Sequence, residues 1–303
     1  MRRKVWLMFA LLALFASHAA RAAELRSLEP PISQQTRLLV FSPHPDDECL
    51  GAGGLIQRVL SEGGKVKVAF MTSGDGYPEG VEMEEHISHP KSEDYLEYGK
   101  EREEEAIKAL TLLGMQKQDI VFLGFPDGGL NYLLWKYRSD PQAYTSPFTL
   151  KRQPMPKDMI VPDTQYNGRD LTKEIEQLLL DFRPTLVAST SSEDLHPDHS
   201  STYYFVNGAL KALKKKGPSS EPKMITFLIH FGQWPVGQGS GTGSRMNPPE
   251  EFTNPHAQWI SFKLQPGETR KKREAILQYH TQMLVLGRFL LSFGRSNELF
   301  ILE

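Results

Sequence analysis

The chain has 303 residues, enough for one large domain with a sizeable core. Its 35 Lys+Arg against 37 Asp+Glu leave no basic surplus for gripping nucleic acid or an anionic membrane surface. A single cysteine, Cys49, excludes an intramolecular disulfide.

At the N-terminus, Arg2, Arg3 and Lys4 precede an apolar run over 5–15, and Ala20-Arg21-Ala22 is a small-x-small cleavage site. This pattern predicts a signal peptide over residues 1–22 and one domain over 23–303, periplasmic or secreted. The apolar run falls short of the roughly 18–20 residues that span a bilayer, which favours cleavage over an uncleaved anchor. No later run is long and apolar enough to span one, so no stable membrane span is expected after cleavage. Without the four basic residues of the leader, 31 Lys+Arg face 37 Asp+Glu, a net charge of −6.

Residues 37–42 read as a buried strand, followed by a polar turn, three glycines (Gly51, Gly53, Gly54) and a helix to about Ser61. A second strand spans 65–72, an amphipathic helix 92–113, and a third strand 119–123, which leaves through Pro126-Asp127-Gly128-Gly129. Residues 132–167 have little period and read as long loops around a site. A helix over 168–182, a strand over 185–189, a helix to about Lys216 and a strand over 224–230 complete the alternation. The Gly- and Pro-rich stretch 232–255 precedes a strand near 259–264 and helices over 270–278 and 283–291. Strands alternating with helices predict a single α/β domain: a Rossmann-like, mostly parallel sheet with helices on both faces. Ligands in such folds sit beyond the carboxyl ends of the strands, where each polar cluster here falls.

Two of those clusters carry chemistry: His44-Pro45-Asp46-Asp47-Glu48 and His196-Pro197-Asp198-His199, placed after strands expected to be neighbours. Hydrolysing an amide requires a better electrophile and a better nucleophile. A zinc ion on three protein ligands polarises the carbonyl and acidifies water. A carboxylate then takes the proton, and an imidazole steadies the oxyanion or protonates the departing amine. A His/Asp/His ligand set with a spare Asp and a spare His supplies each part.

The run Pro43 to Glu48 with Gly51 and Gly53-Gly54 resembles the first motif of the PIG-L (LmbE-like) N-acetylglucosaminyl deacetylase family, and His196-Pro-Asp-His199 is similar to its second. Arg102 with Glu103 to Glu105, Leu113-Gly114, Leu123 to Leu130 and Tyr279-His-Thr-Gln282 also look like family positions, so the resemblance spans roughly residues 37–282. It implies His44, Asp47 and His199 as metal ligands and Asp46 as general base. His196 would act on the oxyanion or the amine, with Asp198 orienting it. Glu48 would stand behind the ligands, while Arg102 and Asp127 would contact the sugar or shape the pocket. The implied substrate is an amino-sugar glycan or glycoconjugate, and the ion Zn²⁺, with Fe²⁺ or Co²⁺ compatible with the same ligands. The chain departs from the pattern at Asp194, where some members carry a tyrosine that helps polarise the carbonyl.

Plainer readings compete at several points. His44-Pro-Asp-Asp alone would serve as a helix cap. The three glycines suggest a dinucleotide loop, but the third glycine of that fingerprint falls on Ile56; closer helix packing explains them better. Asp127 suits a turn and Arg102 a solvated helix face. His86 and His89 read as surface residues rather than a lid or second metal site, and Cys49, beside carboxylates, as a buried small residue rather than a nucleophile. Tyr132, Trp135, Tyr137 and Tyr144 suit either sugar stacking or loop packing. Rival functions are a metal-dependent amidase on a longer N-acyl group and a non-catalytic carbohydrate-binding protein of the same fold.

Overall fold

Arg37–Ser42 (β1) alternates strictly between two apolar layers: Leu38 and Val40 enter one core cluster, Leu39 and Phe41 the other. A strand apolar on both faces belongs inside a sheet covered on both sides. The computed structural model describes residues 25–139, 142–216, 221–238 and 243–303, and the predicted leader at 1–22 lies outside them. After β1 come α1 (Asp47–Ser61), β2 (Lys65–Thr72), α2 (Pro78–Glu84), α3 (Ser92–Leu112), β3 (Ile120–Phe125), α4 (Leu130–Leu134), α5 (Gly168–Phe182) and β4 (Leu186–Thr190). They are followed by α6 (Pro197–Lys216), β5 (Lys223–Phe227), β6 (Gln258–Lys263), α7 (Pro266–Ile276), α8 (His280–Leu291) and β7 (Asn297–Leu302). The seven strands lie in the order β3-β2-β1-β4-β5-β7-β6. β1 to β5 pair in parallel, and β7 runs antiparallel to β5 and β6. Side chains of α1, α3 and α7 fill one layer, and those of α4, α5 and α6 the other. The Rossmann-like, mostly parallel α/β domain expected from the alternation is what forms. Among the described residues no helix is long and apolar enough to cross a membrane.

The topology positions the site. The chain runs outward from β1 through β2 to β3, then returns to place β4 on the other side of β1. The order reverses between β1 and β4, so a crevice opens at their carboxyl ends, and both histidine motifs leave from there. The β2–β3 pairing slips between Phe70 and Thr72. Such an irregularity re-aims a strand end, and here the segment after β3 returns across β2 toward β1. Gly51 and Gly54 let α1 lie close to its neighbours: a Cβ at either would stand 2.2 Å from Phe227 or Leu264 side-chain atoms.

Several elements differ from expectation. Residues 224–230 read as one strand, but β5 ends at Phe227 and residues 228–230 leave the sheet. α7 begins at Pro266, where a proline in the first turn and a capping box between Gln265 and Glu268 start it earlier than its apolar period suggests. β7 is wholly unanticipated, because Asn297 and Glu298 open it with buried polar side chains. Glu298 accepts hydrogen bonds from Gly54 N (2.6 Å), Leu55 N (2.9 Å) and the buried Lys272 ammonium (2.7 Å), which also donates to Leu50 O (2.8 Å). This pair ties β7 and α7 to the helix that follows the first motif. Breaking one side of a buried ion pair leaves an uncompensated charge at a cost of about 3–5 kcal/mol. Glu298→Ala should lose stability of that order in urea unfolding; a loss below about 1 kcal/mol would show that the pair contributes little.

Candidate active site

Between β1 and α1 the chain turns through Pro43 to Asp46. Asp46 precedes the first residue of α1 with φ +124° and ψ −38°, and its side chain caps none of the helix N–H groups. The segment is pinned by the buried Arg102, whose guanidinium donates to Pro45 O (2.8 Å) and Gly74 O (2.8 Å) and lies 3.5 Å from Asp46 Oδ2. The Asp46 N–H donates to Glu48 Oε2 (3.1 Å). Burial and the neighbouring Asp47 carboxylate raise the pKa of Asp46 well above the ordinary value, against the pull of Arg102 and His44.

His44 Nδ1, Asp47 Oδ2 and His199 Nε2 form a triangle with edges of 3.1, 3.2 and 3.2 Å, all from buried side chains. Donors around a tetrahedral ion with bonds of about 2.0–2.1 Å stand about 3.4 Å apart, so the three atoms suit one small divalent cation. Two nitrogens and a carboxylate oxygen also suit zinc by ligand type. Burial disfavours charge on both imidazoles, yet the carboxylates prevail. Asp127, Asp198 and Asp47 raise His44 well above its ordinary pKa, and Asp47 with Asp194 raise His199 to about 10. The cage is built to hold positive charge.

The ligands' far sides are also held. His44 Nε2 faces Asp127 Oδ1 (3.1 Å) and Asp198 Oδ2 (3.4 Å), and His199 Nδ1 faces Asp194 Oδ2 (3.2 Å), off the line of an ideal hydrogen bond. Carboxylates behind metal-binding imidazoles fix tautomer and orientation. Oxygen atoms of Asp127 and Asp198 also cluster around His44 Nε2. A neutral imidazole has one unprotonated nitrogen, however, and with Nδ1 turned to the triangle, Nε2 is the donor to these carboxylates rather than a second metal ligand.

One expected pairing is corrected. Asp198 does not set its carboxylate against His196: the two oxygens accept from Gly128 N (2.7 Å) and Leu130 N (3.0 Å), and one approaches His44. His196 Nδ1 accepts instead from the Asp198 backbone N–H (3.2 Å). The two peptide donors sit in the turn after β3, about 70 residues from the motif, where local spacing could not announce them. With Nδ1 accepting, the proton of His196 rests on Nε2. Burial and the His44, His199 and His230 imidazoles hold its pKa down to about 3, so the ring is neutral. Asp194, at the departure from the family pattern, is buried and turned inward, accepting from His196 N, Ile229 N and His230 N as well as facing His199. It stands behind His199 and does not stand in for the tyrosine.

A cavity of about 220 Å³ opens over the triangle, lined on one side by Asp46, Gly76, Arg102, Asp127 and Gly128, and elsewhere by His230, Leu286, Phe289 and Leu290. Asp127 accepts from Gly76 N (2.7 Å) while holding His44. Arg102, expected at the sugar, has two of its guanidinium nitrogens on backbone carbonyls, while its Nε, among the buried side-chain atoms described, has no hydrogen-bond partner. His86 and His89 are exposed, and Cys49 is buried beside Tyr279 with its thiol pKa raised by burial and by Glu48. Tyr132 stacks on Tyr144, which packs on Tyr137; Trp135 is exposed. His230 is the site residue that sequence reading missed. Its ring stacks on Phe289 and lies 5.0 Å from that of His199. It sits just past a strand end, but assigning it to the strand hid it.

Residues 39–210, more than half of the chain, match the PIG-L family, described as GlcNAc-PI de-N-acetylase. The chain belongs to this family. Among curated relatives, the 1D-myo-inositol 2-acetamido-2-deoxy-alpha-D-glucopyranoside deacetylase of Tsukamurella paurometabola is 26% identical over 194 residues, covering 63% of this chain and 61% of that protein. The chain therefore spans less than two thirds of the length of this relative. Among solved structures, a teicoplanin deacetylase in a zinc-inhibited form aligns over 88% of this chain and 97% of its own, with TM-score 0.56 and 19% identity. The 4-carboxy-2-hydroxymuconate hydratase of Pseudomonas putida aligns over 85% and 82%, with TM-score 0.54 and 16% identity. These likenesses show a shared fold.

Because His44 and His199 both hold protons tightly before an ion enters, binding a divalent ion must expel them. Affinity for Zn²⁺ should therefore rise with pH toward about 10, the His199 value, and fall on acidification. Calorimetry in buffers of different ionisation enthalpy should register proton release at neutral pH. An affinity that stays flat between about pH 6 and 9 would show that the two imidazoles do not hold their protons this tightly.

Proposed function

We propose that this protein is an exported, zinc-dependent N-deacetylase that hydrolyses the acetamide of an N-acetylglucosamine-type amino sugar in a glycan or glycoconjugate. The observation that carries the reading is the His44–Asp47–His199 triangle, whose His44 and Asp47 line a cavity together with Asp46 and His196. Family membership and the amino-sugar deacetylase among its relatives support it. Export rests on the leader-like residues 1–22, which also support a periplasmic or secreted location.

When bound, the zinc ion supplies Lewis acidity that polarises the amide carbonyl and acidifies water. Asp46, unpaired with the helix and raised in pKa, takes the water's proton and returns it to the departing nitrogen. His196, neutral and protonated on Nε2, donates a hydrogen bond to the developing oxyanion. Sugar hydroxyls find partners along Asp127, Arg102 and the backbone near Gly76, and the acyl group lies toward the apolar side. Leu50, Ile229, Leu286, Phe289 and Leu290 on that side favour a second reading, an amidase on a longer N-acyl group.

The test strips the mature protein with chelator, refills it with Zn²⁺ and follows acetate release from N-acetylglucosamine glycosides and cell-wall fragments, beside Asp46→Ala. Release should require the metal and fall about 10²- to 10⁴-fold in the variant, the usual contribution of a general base. Tight metal binding without acetate release, joined to release of a longer fatty acid from an N-acyl analogue, would favour the second reading.

A further inference from the structure

We infer that Glu48, locked by Tyr279, is a positioning residue that holds Asp46 in its working orientation. The inference rests on Asp46 as the base proposed above. With φ at +124°, Asp46 adopts a backbone conformation rare for any residue with a side chain. Such conformations persist only where the surroundings over-determine them. An aspartate just before a helix ordinarily turns its carboxylate back onto the N–H groups of the first turn. Here no such cap forms, and the carboxylate is left facing the cavity.

The restraint is visible on the peptide that joins Pro45 to Asp46. Its carbonyl oxygen accepts from Arg102 (2.8 Å), and its N–H donates to Glu48 Oε2 (3.1 Å). Gripped at both edges, the peptide plane cannot rotate, and φ of Asp46 is set with it. Glu48 is fully buried, and its second oxygen accepts from the hydroxyl of Tyr279, equally buried in the link between α7 and α8. Ser42 Oγ lies 3.4 Å from the oxygen that holds Asp46. The tyrosine hydroxyl thus fixes the carboxylate that fixes the peptide. A phenylalanine would fill the same space and leave Glu48 Oε1 without this donor. Deacylation then depends on a residue 231 positions away from Glu48 that does not line the cavity.

The experiment is a set of double-mutant cycles in the zinc-loaded full chain, combining Glu48→Leu or Tyr279→Phe with Asp46→Asn, and with Glu48→Gln as the conservative control. Glu48→Leu should lower kcat about 100-fold, the scale of a misplaced catalytic group, with KM and zinc stoichiometry unchanged. Tyr279→Phe should lower kcat about tenfold, and Glu48→Gln, which keeps an acceptor for the Asp46 N–H, should recover most of the loss. With Asp46→Asn already in place, neither Glu48→Leu nor Tyr279→Phe should cost anything further, since both act through Asp46. If they lower the residual rate by the same factor in that background, the effect is structural and the inference fails while Asp46 keeps its role. If Asp46→Asn alone leaves kcat intact, the base assignment fails, and the positioning role with it. Should Glu48→Leu not fold, Tyr279→Phe, which removes a single oxygen, decides the cycle.

Discussion

The site is organised around the imidazole of His44, because both of its nitrogens are committed. Nδ1 closes the triangle with Asp47 and His199, and Nε2 is held by Asp127 and Asp198. A neutral imidazole has one donor and one acceptor, so the second contact dictates the first. The turn after β1 supplies the histidine, the turn after β3 supplies Asp127, and the start of α6 supplies Asp198 and His199. The three segments meet because the sheet reverses its order beside β1. The slip in the β2–β3 pairing accompanies the return of the third segment across β2.

Burying so many carboxylates is costly unless each finds donors or a cation. Asp194 takes three backbone N–H groups, Asp198 two, and Asp127 one together with the imidazole. Two lack that supply: Asp46 has Arg102 at 3.5 Å as its side-chain contact, and Asp75 Oδ1, among the described buried side-chain atoms, has no hydrogen-bond partner. A carboxylate left short of donors keeps a raised pKa and remains basic. Of these two under-supplied carboxylates, Asp46 lines the cavity beside the triangle.

The fold alone would not have led to this chemistry, since a hydratase and a deacetylase both share it at low identity. What distinguishes the site is the His44–Asp47–His199 triangle with the Asp46 carboxylate and a neutral imidazole beside it. The apolar pocket wall comes from α8, and its Phe289 stacks on His230 beside His199. Its Leu286 departs from helical backbone angles inside the helix.

Much of this was legible in the sequence. His44 and Asp47 lie three residues apart in one turn, and His196 and His199 likewise, so their convergence follows from short-range geometry once β1 and β4 are neighbours. The alternation of strands and helices likewise determined the parallel sheet, because burial on both faces demands continuous apolar strands. The tertiary structure alone decided the partners. Asp198 turned from His196 to peptide N–H groups across the crevice, Asp194 backed His199, and His230 entered the site by leaving its strand. β7 opened with a buried glutamate that meets Lys272, and Tyr279 reached Glu48 across 231 residues. A side chain's type and spacing declare what it can bond, but a hydrogen bond also needs a donor in the right place. For buried groups that donor comes from whichever distant segment the packing brings alongside.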